Sequence, residues 1–186
     1  MASPPTSNWQ YVPPRKQPSD FPLIDGDPHL FRVCRYMRTS DYVTAAGVAA
    51  ATPAAMLAME KWSPSYAGKG AFPPVLRLAV GLGLGAGFIV AYSRSSQRFL
   101  GLLENSREVD MDMREMVDKV KKGEPLYGVS QLPEHQQHMA ARNSRYASVF
   151  IGVLPWFNLV NHNHHGVDTA KYYQQAEREL DSEREG

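Results

Sequence analysis

The chain has 186 residues, with 20 lysines and arginines against 19 aspartates and glutamates and a formal net charge of +1. That balance argues against the strongly basic face of a nucleic-acid binder, and one cysteine, Cys34, closes no internal disulfide and ligates no iron–sulfur cluster alone. The mean hydropathy of −0.39 suggests a soluble protein, but this average hides a segregation. The apolar residues are concentrated between positions 42 and 103, and both ends are polar.

Residues 1–28 carry seven prolines, so this segment is extended and buries no core by itself. It reads either as a solvated tail or as an arm laid over a partner, with Trp9, Tyr11 and Phe21 as anchors. It has no apolar core of a secretory signal, and its prolines forbid the amphipathic helix of a cleavable mitochondrial presequence. Organellar targeting would therefore be internal.

A basic juxtamembrane helix is expected over residues 29–41, with Asp27 as N-cap and Pro28 at the first helical position. Leu30, Val33, Cys34 and Met37 share one face, and Arg32, Arg35 and Arg38 lie mainly elsewhere. Cys34 is read as a small apolar residue, since a reactive thiol needs exposure and a depressed pKa.

A two-span hairpin is expected over residues 42–100. Its first span, about 42–59, has eighteen residues and no charge, at 1.5 Å per residue a length close to the hydrocarbon thickness of a bilayer. Alanines dominate it, and Pro53 is tolerable if Thr52 or a neighbouring helix meets the freed carbonyl. A loop rich in proline and glycine follows, in which Trp62, Tyr66 and Phe72 suit a membrane interface. The second span, about 75–92, has one charge, Arg77, near its start, and Arg94 and Arg98 close its far end. A buried two-helix core of a soluble protein would need apolar partners on every side, and the remaining segments offer only narrow stripes. Residues 101–186 form a polar helical C-terminal region. Within it, one amphipathic helix runs to Gly123 with Val109, Met113, Met116, Val117 and Val120 on one side. Another helical stretch ends before Pro155, and a charged helix starts near Asp168. The cations that flank the spans place both termini on the matrix side if the membrane is the mitochondrial inner one.

Two motifs invite chemistry. In "VGLGLGAGFIVAY", Gly81, Gly83 and Ala86 fit the dinucleotide fingerprint, but no alternation of strands and helices follows to build the required sheet. The same glycines form two overlapping four-residue pairs, Gly81 with Gly85 and Gly83 with Gly87, each on one helical face. Helix packing, against the alanine-rich span or against another subunit, is the expected role. In "NHNHHGVD", His162, His164 and His165 are weak candidates for a metal, with His135, His138 or Asp168 as possible mates. The alternative is a structural loop whose imidazoles meet backbone, lipid phosphate or neighbouring carboxylates. No nucleophile–base pair stands out, and no catalytic or cofactor-binding residue is assigned.

Two blocks carry a family resemblance: "PLIDGDPHLFRVCRYMRTSDYV" (22–43) and "RNSRYASVFIGVLPWFNLVNHNHHGVDTAKYYQ" (142–174). They resemble the fungal accessory subunit of mitochondrial NADH:ubiquinone oxidoreductase, the 21 kDa subunit of complex I. The resemblance implies a non-catalytic inner-membrane subunit without a redox centre, with other complex I subunits and membrane lipid as partners. On this expectation the chain binds no nucleic acid and no small-molecule substrate. Arg32, Arg35, Arg38, Arg94 and Arg98 would meet phospholipid headgroups, cardiolipin among them, or acidic residues of partners. Trp9, Trp156 and Phe157 would anchor neighbouring proteins. The alternatives are a membrane assembly or translocase-type factor and a metal-dependent enzyme that uses the histidine segment.

Overall fold

The computed structural model describes residues 18–66, 68, 70–144 and 146–185. Among these residues the protein is all helical: α1 (Leu30–Arg35), α2 (Thr39–Trp62), α3 (Phe72–Phe99), α4 (Ser106–Lys122), α5 (Glu134–Ser144) and α6 (Ala170–Glu185), with a 3₁₀ turn at Ala147–Phe150. Helices α2 and α3 form an antiparallel hairpin, and all other elements gather at one end of it as a polar head.

Both expected spans lie inside these two long helices, which have the length and apolarity to cross a membrane. The hairpin closes on small residues. A methyl group added to Gly83 would lie 2.6 Å from the Ala49 carbonyl oxygen, and one added to Gly87 would lie 2.5 Å from that of Ala45. Pro53 has no N–H, so the Ala49 carbonyl lacks its usual helical donor. The Cα–H of Gly83 sits against that oxygen, a weak contact repeated one turn away at Gly87. Thr52 does not fill the gap, because its hydroxyl donates to the Val48 carbonyl at 3.2 Å.

In place of one helix over residues 29–41 there are two, α1 and the start of α2, separated by a break at Tyr36–Arg38. The break follows from Asp41, whose carboxylate accepts the Arg38 N–H at 2.8 Å and so starts a new helix there. The N-cap of α1 is likewise His29 and not Asp27; the His29 ring Nδ1 accepts from the Phe31 N–H at 3.3 Å. Asp27 is occupied elsewhere, by Ser144 and His162. The apolar face of α1 is as expected: Val33 and Met37 are buried with Ile24, Tyr36, Ala91, Tyr92 and Phe99, and Leu30 and Cys34 pack on that cluster. Burial pushes the Cys34 thiol up, away from reactivity.

Residues 21–27 form a strap across the end of α3. Phe21 N–H donates to the Gly101 carbonyl at 3.2 Å, and Ile24 N–H to that of Phe99 at 2.9 Å. Asn105 fixes the crossing from the side chain, donating to the carbonyls of Pro22 and Arg98 at 2.7 Å each. Gly101 has φ 71°, and its Cα lies so close to the Phe21 carbonyl that no side chain fits. On the far side α4 ends at Gly123 in the left-handed conformation, with φ 69°. Its Met116 packs with Leu126 and with Tyr172 of α6.

Candidate functional site

The junction of hairpin and head is built from buried charges. Asp41, fully buried, is the only buried residue among the described residues of α2. Its carboxylate takes both Nη atoms of Arg98 in a two-pronged pair and the Nε of Arg94 at 3.1 Å, and so joins the two helices where the apolar spans end. Arg94 and Arg98 are four residues apart, so both reach the same acid. Arg98 also lies 3.5 Å from Glu108 of α4. Glu108, itself fully buried, binds Arg38 through Nε at 2.8 Å and Nη2 at 2.5 Å. Glu104 closes this row at 3.0 Å from Arg38, and bonds from Ser106 and Arg38 hold its carboxyl down at about 2.

A second centre surrounds Arg32. Its guanidinium meets Asp25 at 3.0 Å, Asp112 more closely still, and Glu115 at 3.8 Å. The guanidinium carbon also lies 5.4 Å from the Phe99 ring centroid. Tyr172 donates to Asp112 at 2.6 Å, and Tyr36 donates to Glu115 at 2.6 Å. Burial opposes ionisation of Glu115, yet Tyr36, Arg35 and Arg32 outweigh it and hold the carboxyl at about 2. A cleft of about 280 Å³ opens beside this centre, lined among others by Arg32, Glu115, Lys119 and Tyr127. Its charges satisfy one another: Lys119 reaches Glu115 at 3.0 Å and donates to the Leu126 carbonyl at 2.8 Å.

The histidine segment completes the strap as a clasp. His162 Nδ1 accepts the His164 N–H at 3.1 Å, which leaves the proton on Nε2, 2.9 Å from Asp27. His165 faces two acceptors: Asp25 lies 2.6 Å from Nδ1 and the His162 carbonyl 2.6 Å from Nε2. Both nitrogens must donate, so the ring is an imidazolium. Burial disfavours that charge, but Asp25 overcomes it and raises the His165 pKa. In return His165 and Arg32 hold the Asp25 carboxyl below the usual range in spite of its burial. Backbone bonds run alongside, from Gly26 N–H to the His165 carbonyl and from Leu30 N–H to the Asn158 carbonyl, both at 2.8 Å. His165 keeps no lone pair for a metal. His164 packs at a tilt on His138 with centroids 4.5 Å apart, and no group of three or more metal-competent ligands occurs among the described residues.

The sequence-derived sites thus divide. Gly83 and Gly87 face α2, while Gly81 and Gly85 have nothing within 4 Å. Arg32 and Arg98 are turned inward, where buried acids of this same chain pair with them; Arg38 is paired likewise. Arg35 and Arg94, half-exposed or more, also have internal partners in Glu115 and Asp41. Phe157 stacks on Phe88 at 6.3 Å and packs at a tilt on Tyr92 at 4.6 Å, and the Trp156 carbonyl accepts from the Tyr92 hydroxyl at 3.1 Å, while the indole is exposed. Trp9 lies outside the described residues. Asp25, Asp41, Glu108 and Asp112 were missed. Asp41 carried a signal, an acid immediately before eighteen uncharged residues and the natural mate of two arginines beyond the second span.

An apolar hairpin joined by buried ion pairs to a polar helical head defines a class of all-helical protein with two helices long and apolar enough to cross a membrane. The comparisons with known proteins say which. Residues 18–104 match the family model "NADH-ubiquinone oxidoreductase complex I, 21 kDa subunit", and residues 113–186 match that of the C-terminal part of the same subunit. The chain is 59% identical over 181 residues to the NADH-ubiquinone oxidoreductase 20.9 kDa subunit of Neurospora crassa, covering 97% of this chain and 96% of that one. The chain belongs to the complex I 21 kDa subunit family.

Proposed function

We propose that the protein is a non-catalytic accessory subunit of mitochondrial respiratory complex I, fixed in the inner membrane by the α2–α3 hairpin, where it stabilises neighbouring subunits. Family membership supports the assembly, and the hairpin carries the placement. Its helices of 24 and 28 residues are about 36 and 42 Å long, against a hydrocarbon thickness of about 30 Å. Tyr42, Val43, Leu57, Met59, Leu78, Leu82 and Leu84 point outward from them, a surface that suits lipid. A non-catalytic role is in keeping with the junction, whose buried carboxylates, guanidiniums and imidazolium pair with one another. Both termini are assigned to the matrix. Of the five arginines expected at headgroups, Arg35 and Arg94 are the two exposed enough to share an anionic lipid such as cardiolipin with their internal acids.

The protein should comigrate stoichiometrically with assembled complex I on a native gel, and it should stay in the pellet after alkaline carbonate extraction. Appearance only with assembly intermediates would make it an assembly factor. Release into the carbonate supernatant would remove the membrane assignment.

A further inference from the structure

Residues 146–167 contain no aspartate, glutamate, lysine or arginine, yet they belong to the polar head and not to a span. Within them Val149, Phe150, Val153, Leu154, Trp156 and Leu159 are exposed, Val153 to 84%. A soluble head would leave such a patch in water, at a cost proportional to its apolar area. The patch is also fixed in position. Phe157 stacks nearly parallel on Phe88 of α3, at 10° between the rings, and packs on Tyr92. Phe88 lies six residues from Arg94 toward the apolar side of α3, which at 1.5 Å per residue is about 9 Å below the charged junction. Amphipathic elements that lie on membranes seat their apolar side about 5–10 Å into the boundary of headgroups and acyl chains.

We propose that the segment around residues 149–159 is a third membrane-contacting element, a wedge that sits in the headgroup–acyl boundary of the leaflet next to the head. Its occupant is phospholipid. The surface is continuous with the outward apolar face of α3 through Phe88, carries no charge to specify a protein partner, and presents an indole where tryptophan favours the interface. The wedge rests on the reading of α2 and α3 as membrane spans. Held against α3, it fixes the rotation and depth of the hairpin in the bilayer.

The test uses the full chain reconstituted in phosphatidylcholine bilayers. With Trp9→Phe and Trp62→Phe, Trp156 is the sole tryptophan. Phospholipids brominated near the carbonyl should quench its fluorescence about twofold, those brominated near the chain end less, and aqueous acrylamide hardly at all. Free quenching by acrylamide with no effect of bromolipid overturns the wedge. A second chain, with all three tryptophans replaced by phenylalanine and Leu82→Trp added, reports on the span. If Leu82→Trp is quenched from the chain end and Trp156 is silent, the wedge alone fails; if neither responds, the spans fail first. In the assembled complex, a photo-crosslinker at position 154 should label lipid, and an adduct with a neighbouring subunit overturns the proposal.

Discussion

The hairpin and the head are organised in opposite ways. In the hairpin the smallest residues, Gly83, Gly87, Ala45 and Ala49, face inward and the large apolar ones outward. In the head, charged residues such as Asp25, Asp27, Glu108 and Asp112 are buried. The hairpin has no hydrophobic gain to collect by folding if lipid is its solvent, so close backbone packing holds it. The head has a small core, and much of its order comes from ion pairs whose desolvation is offset by their attraction to one another. Asp41, a charge at the end of an apolar helix, is where the two kinds of interior meet.

The largest effect expected from this contrast is at that meeting point. Asp41→Ala takes the two-pronged partner from buried Arg98, leaving it only the more distant Glu108, and should cost about 3–5 kcal/mol, read by thermal or denaturant unfolding in detergent. Arg35→Ala removes the mostly exposed partner of Glu115, which keeps Arg32, Tyr36 and Lys119, and should cost under about 1 kcal/mol. Equal losses would show that burial of the junction does not set its energetics. Next come the glycines. Gly83→Leu or Gly87→Leu overpacks the helix contact and should cost at least about 1–3 kcal/mol, with loss of the subunit from the assembled complex. Gly81→Ala and Gly85→Ala meet open space and should raise hairpin stability by up to about 1 kcal/mol each, through helix propensity alone.

The clasp predicts a pH dependence. The folded pKa of His165 is raised above 6.5, so its contribution is complete below 6.5 and lost as pH rises through the folded value. That of Asp25 is lowered below 3.8, so its contribution is complete above 3.8 and lost on acidification through its own folded value. The clasp is therefore strongest between these limits, and Tm should decline on going from mildly acidic to alkaline buffer. His165→Gln should flatten that slope, and an unchanged slope would place the titration elsewhere. The smallest effect belongs to the exposed bridge from Lys121 to Glu179 and Glu183, where Lys121→Gln should leave Tm unchanged.

The two long apolar helices, α4 with its glycine stop and the charged α6 were legible because hydropathy, periodicity and capping are local properties. Spacing alone could not tell Gly81 from Gly83, since both pairs repeat every four residues and only the neighbouring helix separates them. Nor did it show where the arginines point. Arg38 finds Glu108 across 70 positions and Arg98 finds Asp41 across 57, and a cation beside an apolar run looks alike in sequence whether it faces phosphate or a buried carboxylate. The boundary at Asp27 failed for the same reason. A good local cap was taken by His162, 135 residues away.

That distance bears on synthesis and import. Asp25 and Asp27 emerge early, and their partners His165 and His162 follow 140 and 135 residues later, after both long helices. Until then the strap has two acids and no imidazole to close on. A chain cut short before residue 162 should keep its hairpin, the Asp41 latch and the strap's bonds to Phe99, Gly101 and Arg32, but lack the histidine clasp, so the last fastening of an early segment waits for nearly the whole polypeptide. It also ties together the segments that match the two family models, on either side of residues 105–112.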